Sequence, residues 1–113
     1  MLCLAIQNIF MESIKGKNIL LAGATGGIGR ALIPLLLQSG ANLFITGRNE
    51  LKLKELLQQF PSIGNRYAAA DLTVATDVAR LLEVYQQQMP SIDYLLNVSG
   101  IGKIQSADNL SIE

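Results

Sequence analysis

The chain has 113 residues, half of them hydrophobic, with nine basic residues balancing nine acidic ones, one cysteine and no histidine. That is the size of one domain with enough apolar residues for a core, and it carries no basic stripe of the kind that tracks phosphates on nucleic acid. A lone thiol without imidazole leaves no donors for a disulfide framework or a structural zinc site, and it removes the commonest general base.

Residues 1–13 read as a poorly ordered N-terminal arm. The opening MLCLAIQNIF is apolar but too short to span a bilayer, and it lacks the basic flank of a secretory signal. Met11 begins the stretch MESIKGKNILLAG, which looks like a natural start just ahead of a first strand. The single Cys3 fits a reducing compartment, so a cytoplasmic location away from membranes is expected.

Residues 14–113 alternate strand and helix. Asn18 to Ala22 is a short apolar run closed by glycines, which suits a buried strand. From Ile28, apolar residues at Ala31, Leu32, Leu35 and Leu36 fall at helical spacing, and Gly40 caps the end. Pro34 lies inside this helix, where proline removes a hydrogen bond and costs about 3 kcal/mol, so either a kink or a displaced first turn is expected. Leu43, Phe44 and Ile45 form a second strand, stopped by Gly47. Leu53, Leu56, Leu57 and Phe60 mark the next helical face, with Asn49 as N-cap and Pro61 just past the end. Tyr67 to Ala70 is a third strand. Thr73 is placed to cap a helix whose apolar face is Val74, Val78, Leu81, Leu82, Tyr85 and Met89, closed by Pro90. Ile92 to Val98 is a fourth strand, and another helix is expected to begin near Ser111.

Strands separated by helices run parallel with right-handed crossovers. The predicted fold class is therefore α/β: a Rossmann-like, doubly wound parallel sheet, partial, with four strands in the order 3-2-1-4. In such a sheet a ligand binds at the carboxyl ends of strands 1 and 4, where the order reverses.

Unusual residues gather at those ends. Strand 1 runs into Gly23-Ala24-Thr25-Gly26-Gly27-Ile28-Gly29. Glycines let a backbone turn tightly and approach a pyrophosphate, and the helix that follows presents free N–H groups to it. Gly29 is expected to let the helix pack closely. At the end of strand 2 stands Thr46-Gly47-Arg48-Asn49, with no acid until Glu50. In a dinucleotide fold an acid there bonds the ribose 2′-hydroxyl, whereas an arginine accommodates a 2′-phosphate. Arg48, with the Thr25 hydroxyl, therefore favours NADP(H) over NAD(H).

These residues resemble the short-chain dehydrogenase/reductase family, classical type, in its N-terminal portion. The family's phosphate loop TGxxxGxG is matched by Gly23, Gly27 and Gly29, with Ala22 in place of threonine; Gly26 makes the loop fit the TGxxGxxG spacing equally. Asn97-Val98-Ser99-Gly100 is similar to the family's NNAG segment, which steadies the central sheet and lines the cofactor crevice. Asp71-Leu72 matches the acidic–apolar pair after strand 3, whose Asp the resemblance implies contacts adenine. The cofactor-binding set is thus Gly23, Thr25, Gly26, Gly27, Ile28, Gly29, Arg48, Asn49, Asp71, Leu72, Asn97, Ser99 and Gly100.

The resemblance also implies a catalytic Tyr with Lys four residues later, assisted by Ser and Asn, acting on a carbonyl/alcohol pair. Tyr67, Tyr85 and Tyr94 are followed at that spacing by Asp71, Met89 and Val98, so none qualifies; Tyr85 and Tyr94 read as core. No catalytic residue is assigned and the machinery is expected beyond residue 113, with Asn109 too early for that role. The chain alone is expected to be inactive, to meet a substrate only in a full-length form, and to self-associate through the bare edge of strand 4. The alternatives are a non-catalytic NADP(H)-binding or regulatory module, and an atypical relative such as a sugar-nucleotide epimerase. The glycine loop permits the latter and the NVSG segment opposes it.

Overall fold

A computed structural model describes residues 13–99. The expectations for residues 1–12, for Gly100 and for a helix near Ser111 lie outside the described residues. Strands β1 (Asn18–Ala22), β2 (Asn42–Gly47), β3 (Tyr67–Ala69) and β4 (Tyr94–Asn97) alternate with helices α1 (Gly27–Gln38), α2 (Glu50–Gln59) and α3 (Ala75–Gln88); a single 3-10 turn, Pro61–Ile63, follows α2. All strand pairs are parallel, and the order β3-β2-β1-β4 is the predicted one.

The alternation of side chains along the central strands divides the core in two. Ile19, Leu21, Leu43 and Ile45 face α1 and α2, where they meet Ile33, Leu36, Leu53 and Leu56. Leu20 and Phe44 point the other way, toward Leu81, Tyr85 and Met89 of α3 and the residue after it. Burial on both faces explains why β1 and β2 read as unbroken apolar runs. Phe44 and Tyr85 meet with ring centroids 5.1 Å apart, tilted by 57°. The Tyr85 hydroxyl donates to the carbonyl of Ser91 at 2.7 Å.

Several local expectations need correction. Thr73 does not cap α3: its hydroxyl donates to Asp71 Oδ1 at 2.7 Å, and the N-cap is Val74, with no side-chain bond. Asp77, in the first turn of α3, ties the preceding loop to the helix, its carboxylate accepting the Asp71 amide at 2.9 Å. The buried stripe of α3 is narrower than predicted, because Val74 and Leu82 are exposed while Val84 packs inward. Leu35 is likewise exposed on α1, where Ile33 takes the inward position. Tyr94 is 44% exposed and is not a core residue, because β4 is an edge strand whose outer side nothing covers among the described residues. β4 is also shorter than predicted, and β3 ends one residue earlier.

Other details agree with the sequence. Asn49 Oδ1 caps α2 by accepting the Lys52 amide at 3.1 Å. Gly40 follows α1 with a φ of 85°, a left-handed position that suits glycine. At Pro34, by contrast, the first turn is not displaced: α1 runs from Gly27 to Gln38 as one helix, with Pro34 well past its first turn.

Candidate functional site: a crevice at the strand carboxyl ends

The carboxyl ends of β1, β2, β3 and β4 open together onto a crevice of about 1260 Å³. The glycine loop after β1 forms its floor. The loop is anchored by the carbonyl of Thr46, which accepts the amides of both Gly23 and Ala24 at 3.1 Å. Thr46 is itself buried, and its hydroxyl donates to the Ala68 carbonyl at 2.6 Å, so the loop is tied through β2 to β3.

The four glycines of the loop do different jobs. Gly23 has a φ of 84°, and a Cβ there would lie 2.6 Å from the Ser99 amide nitrogen. The loop after β1 and the turn after β4 therefore touch at this residue. Gly29 is buried, and a Cβ on it would collide with the Gly23 carbonyl and lie 2.8 Å from Ala24 Cα. It is a packing glycine, set against the start of the loop just past β1. Gly26 and Gly27 are different: a Cβ on Gly26 would meet only ordinary contact at 3.6 Å, and one on Gly27 nothing within 4 Å. Both are exposed and line the crevice, with Gly26 at an ordinary extended φ of −80°. The protein places no steric demand for glycine at either, so the bare backbone there is a cradle that side chains would fill.

The hydrogen-bond inventory of the loop points the same way. The amides of Gly27, Ile28 and Gly29 donate to no protein acceptor among the described residues; the first intrahelical bond of α1 is from Arg30 N to the Gly26 carbonyl at 2.9 Å. The helix start thus offers unspent N–H groups where an anion would gain most from them. A diphosphate fits that donor set and that cradle.

Around this floor the crevice gathers Thr25, Ile28, Arg48, Asn49, Asp71, Leu72, Asn97 and Ser99 from four separate segments. Of the sequence-predicted residues, Gly29 lies under the loop and Gly100 outside the described residues. The Thr25 hydroxyl sits 3.3 Å from where a Cβ on Gly47 would be, beside the end of β2 that carries Arg48. Arg48 is exposed and makes no hydrogen bond or ion pair among the described residues. Glu50, the nearest acid in sequence, pairs instead with Lys54 at 3.6 Å. Asp71 is engaged locally: its Oδ1 accepts the hydroxyl of Thr73 at 2.7 Å and the Thr73 amide at 3.0 Å. Those two bonds, with the Arg48 charge adding a smaller push, hold the Asp71 carboxyl below its ordinary range. Asn97 turns back on its own chain, its Oδ1 accepting the Ser99 amide at 3.0 Å, while the Val98 amide bonds the Ala22 carbonyl.

Two basic residues at or beside the crevice escaped the sequence reading. Lys52 also lines the crevice, with its ammonium unpaired among the described residues. Its signal was the Asn49 cap, which orients the first turn of α2. Arg30 lies just behind the loop and donates from Nε to the Thr25 carbonyl at 3.1 Å. No group of three or more metal-ligating side chains, and no helix long and apolar enough to cross a membrane, occurs among the described residues.

Comparison with known proteins places this crevice in context. An uncharacterized oxidoreductase of Staphylococcus epidermidis is 33% identical over 90 residues, which are 80% of this chain and 39% of that protein. A short chain dehydrogenase from Mycobacterium smegmatis superposes with a TM-score of 0.70 at 26% identity, over 87% of this chain and 42% of its own. A 3-ketoacyl-(acyl-carrier-protein) reductase from Brucella melitensis, solved in complex with NADH, superposes with a TM-score of 0.62 at 25% identity, covering 73% of this chain and 33% of its own. The chain thus spans about two fifths or less of the length of these relatives. The short chain dehydrogenase sequence profile matches residues 17–113, and the chain belongs to that family of oxidoreductases.

Proposed function

We propose that this chain is the dinucleotide-binding part of an oxidoreductase acting on a carbonyl/alcohol pair, and that it holds NADP(H) in preference to NAD(H). The cofactor, when bound, donates or accepts a hydride. The residues of this chain bind and orient it. The Gly27 and Ile28 amides meet the diphosphate over the bare backbone of Gly26 and Gly27, while Gly23 and Gly29 keep the loop in shape. Asp71 and Leu72 border the adenine end, and Asn97 and Ser99 border the opposite wall. Arg48 and the Thr25 hydroxyl grip the 2′-phosphate beside Asn49.

The observation that carries the NADP(H) preference is the unpaired Arg48 guanidinium at the rim, with the neighbouring Glu50 carboxylate drawn to Lys54. A guanidinium–phosphate pair is a strong, charge-assisted contact. Titration of the chain with NADPH and NADH tests the reading. NADPH should bind more tightly, and Arg48→Ala should weaken it about tenfold or more while changing NADH little. Equal affinities in the parent, unmoved by the substitution, would refute the preference.

We further propose that the 113-residue chain turns nothing over alone, since none of its tyrosines has a lysine four residues on. Reduction of any carbonyl by the purified chain with NADPH would overturn this. A cytoplasmic location and self-association through the β4 edge complete the proposal.

A further inference from the structure

The Thr25 carbonyl stands at a branch point. A helix beginning one residue earlier would give it to the Gly29 amide, in the ordinary i to i−4 bond. Here it accepts instead from Arg30 Nε at 3.1 Å, and the Gly29 amide stays unspent. Two neighbouring loop carbonyls are also engaged, that of Gly23 by the Gly26 amide at 3.2 Å and that of Gly26 by the Arg30 amide at 2.9 Å. Thr25 lines the crevice but Arg30 does not, so the guanidinium holds this carbonyl from outside the space a ligand would fill.

We propose that Arg30 is a positioning residue of the phosphate loop. Its Nε occupies the Thr25 carbonyl, which keeps those lone pairs away from a bound diphosphate and prevents α1 from winding back over its own free amides. This rests on the dinucleotide reading above. It assigns to Arg30 an effect on the diphosphate shared by both cofactors, and none on the 2′-phosphate.

The test separates hydrogen bonding from charge. Arg30→Gln places an N–H donor the same number of bonds from Cα as Nε, without the charge. Arg30→Lys keeps the charge and puts a methylene at that point. NADPH and NADH affinities of the 113-residue chain are measured for the parent, Arg30→Ala, Arg30→Lys and Arg30→Gln, with melting curves as a folding control. The expected result is an about fivefold loss for both cofactors alike in Arg30→Ala and Arg30→Lys, near-parent binding in Arg30→Gln, and an unchanged ratio of the two affinities. Amide exchange should show the Gly29 amide more protected in Arg30→Ala. Parent-like binding by Arg30→Ala overturns the proposal, as does rescue by Lys but not Gln, or a changed NADPH:NADH ratio. If the parent binds neither cofactor, the dinucleotide reading fails and takes this inference with it; if the parent binds and the variants do not differ, only the role of Arg30 fails.

Discussion

Four glycines in one loop look alike in a sequence and differ in their surroundings. Gly29 is hemmed in by the Gly23 carbonyl and Ala24, whereas Gly26 has room for a side chain. Gly29→Ala should therefore destabilise the fold by about 1–3 kcal/mol, the usual range for overpacking, while Gly26→Ala should leave the melting temperature nearly unchanged and weaken cofactor binding. Thermal melts paired with NADPH titration check both halves. Asp71 yields a second residue-scale prediction. With its carboxyl held low by Thr73, its stabilising contribution is complete above the ordinary aspartate value of about 3.9 and is lost as pH falls through the lowered one. In Thr73→Val the hydroxyl bond is gone, and an NMR titration should find the Asp71 carboxyl closer to its ordinary value. The glycine turn and Arg48 were legible from residue type and position alone. The Thr73–Asp71 bond was not, because a threonine before a helix fits an N-cap just as well, and only the backbone path decides which partner it meets.

At the scale of elements, periodicity located the four strands and three helices that lie wholly within the described residues, and it erred where an element has less neighbour than its pattern allows. α3 packs on one sheet face near β2 and β3, so Leu81, Tyr85 and Met89 are buried and Leu82 is left in solvent. Tyr85 joins that helix to the chain ahead of β4 through its bond to Ser91. Burial, with a smaller push from Asp93, raises the phenol above its ordinary range. Its neutral form is thus favoured by folding, an advantage held below about pH 10 and lost as pH rises through the raised value. Tyr85→Phe should keep the ring contact with Phe44 and lose about 1 kcal/mol for the hydrogen bond, as read from urea melts. A loss of several kcal/mol would mean that the hydroxyl does more than this bond. Pro34 shows the limits of propensity: tertiary packing of Ile33 and Leu36 keeps α1 continuous across a residue that disfavours helix.

Across the whole molecule, the amino ends of three strands are joined by polar contacts that no pattern announced. The buried Asn18 donates from Nδ2 to Ser91 and accepts from Asn42 Nδ2, each at 3.0 Å, while its amide donates to Asp93 Oδ2 at 2.8 Å. These contacts help register β4 against β1, and so set Asn97 and Ser99 opposite the glycine loop. β4 then presents Tyr94, 44% exposed, and Leu95, 59% exposed, along an edge uncovered among the described residues. An open apolar edge pairs readily with another chain. Sedimentation should find concentration-dependent association of the 113-residue chain, and Leu95→Lys should reduce it; a chain that stays monomeric at high concentration would contradict this. Apolar spacing and the glycine-to-helix junction were enough, by themselves, to determine the parallel α/β sheet, its strand order and the end at which the crevice opens, because those depend on local periodicity and chain handedness. Which glycine is structural, which carbonyl Arg30 holds and which tyrosine is buried were decided only by the tertiary structure, since each depends on atoms brought together from distant parts of the chain or on a backbone path that residue spacing does not encode.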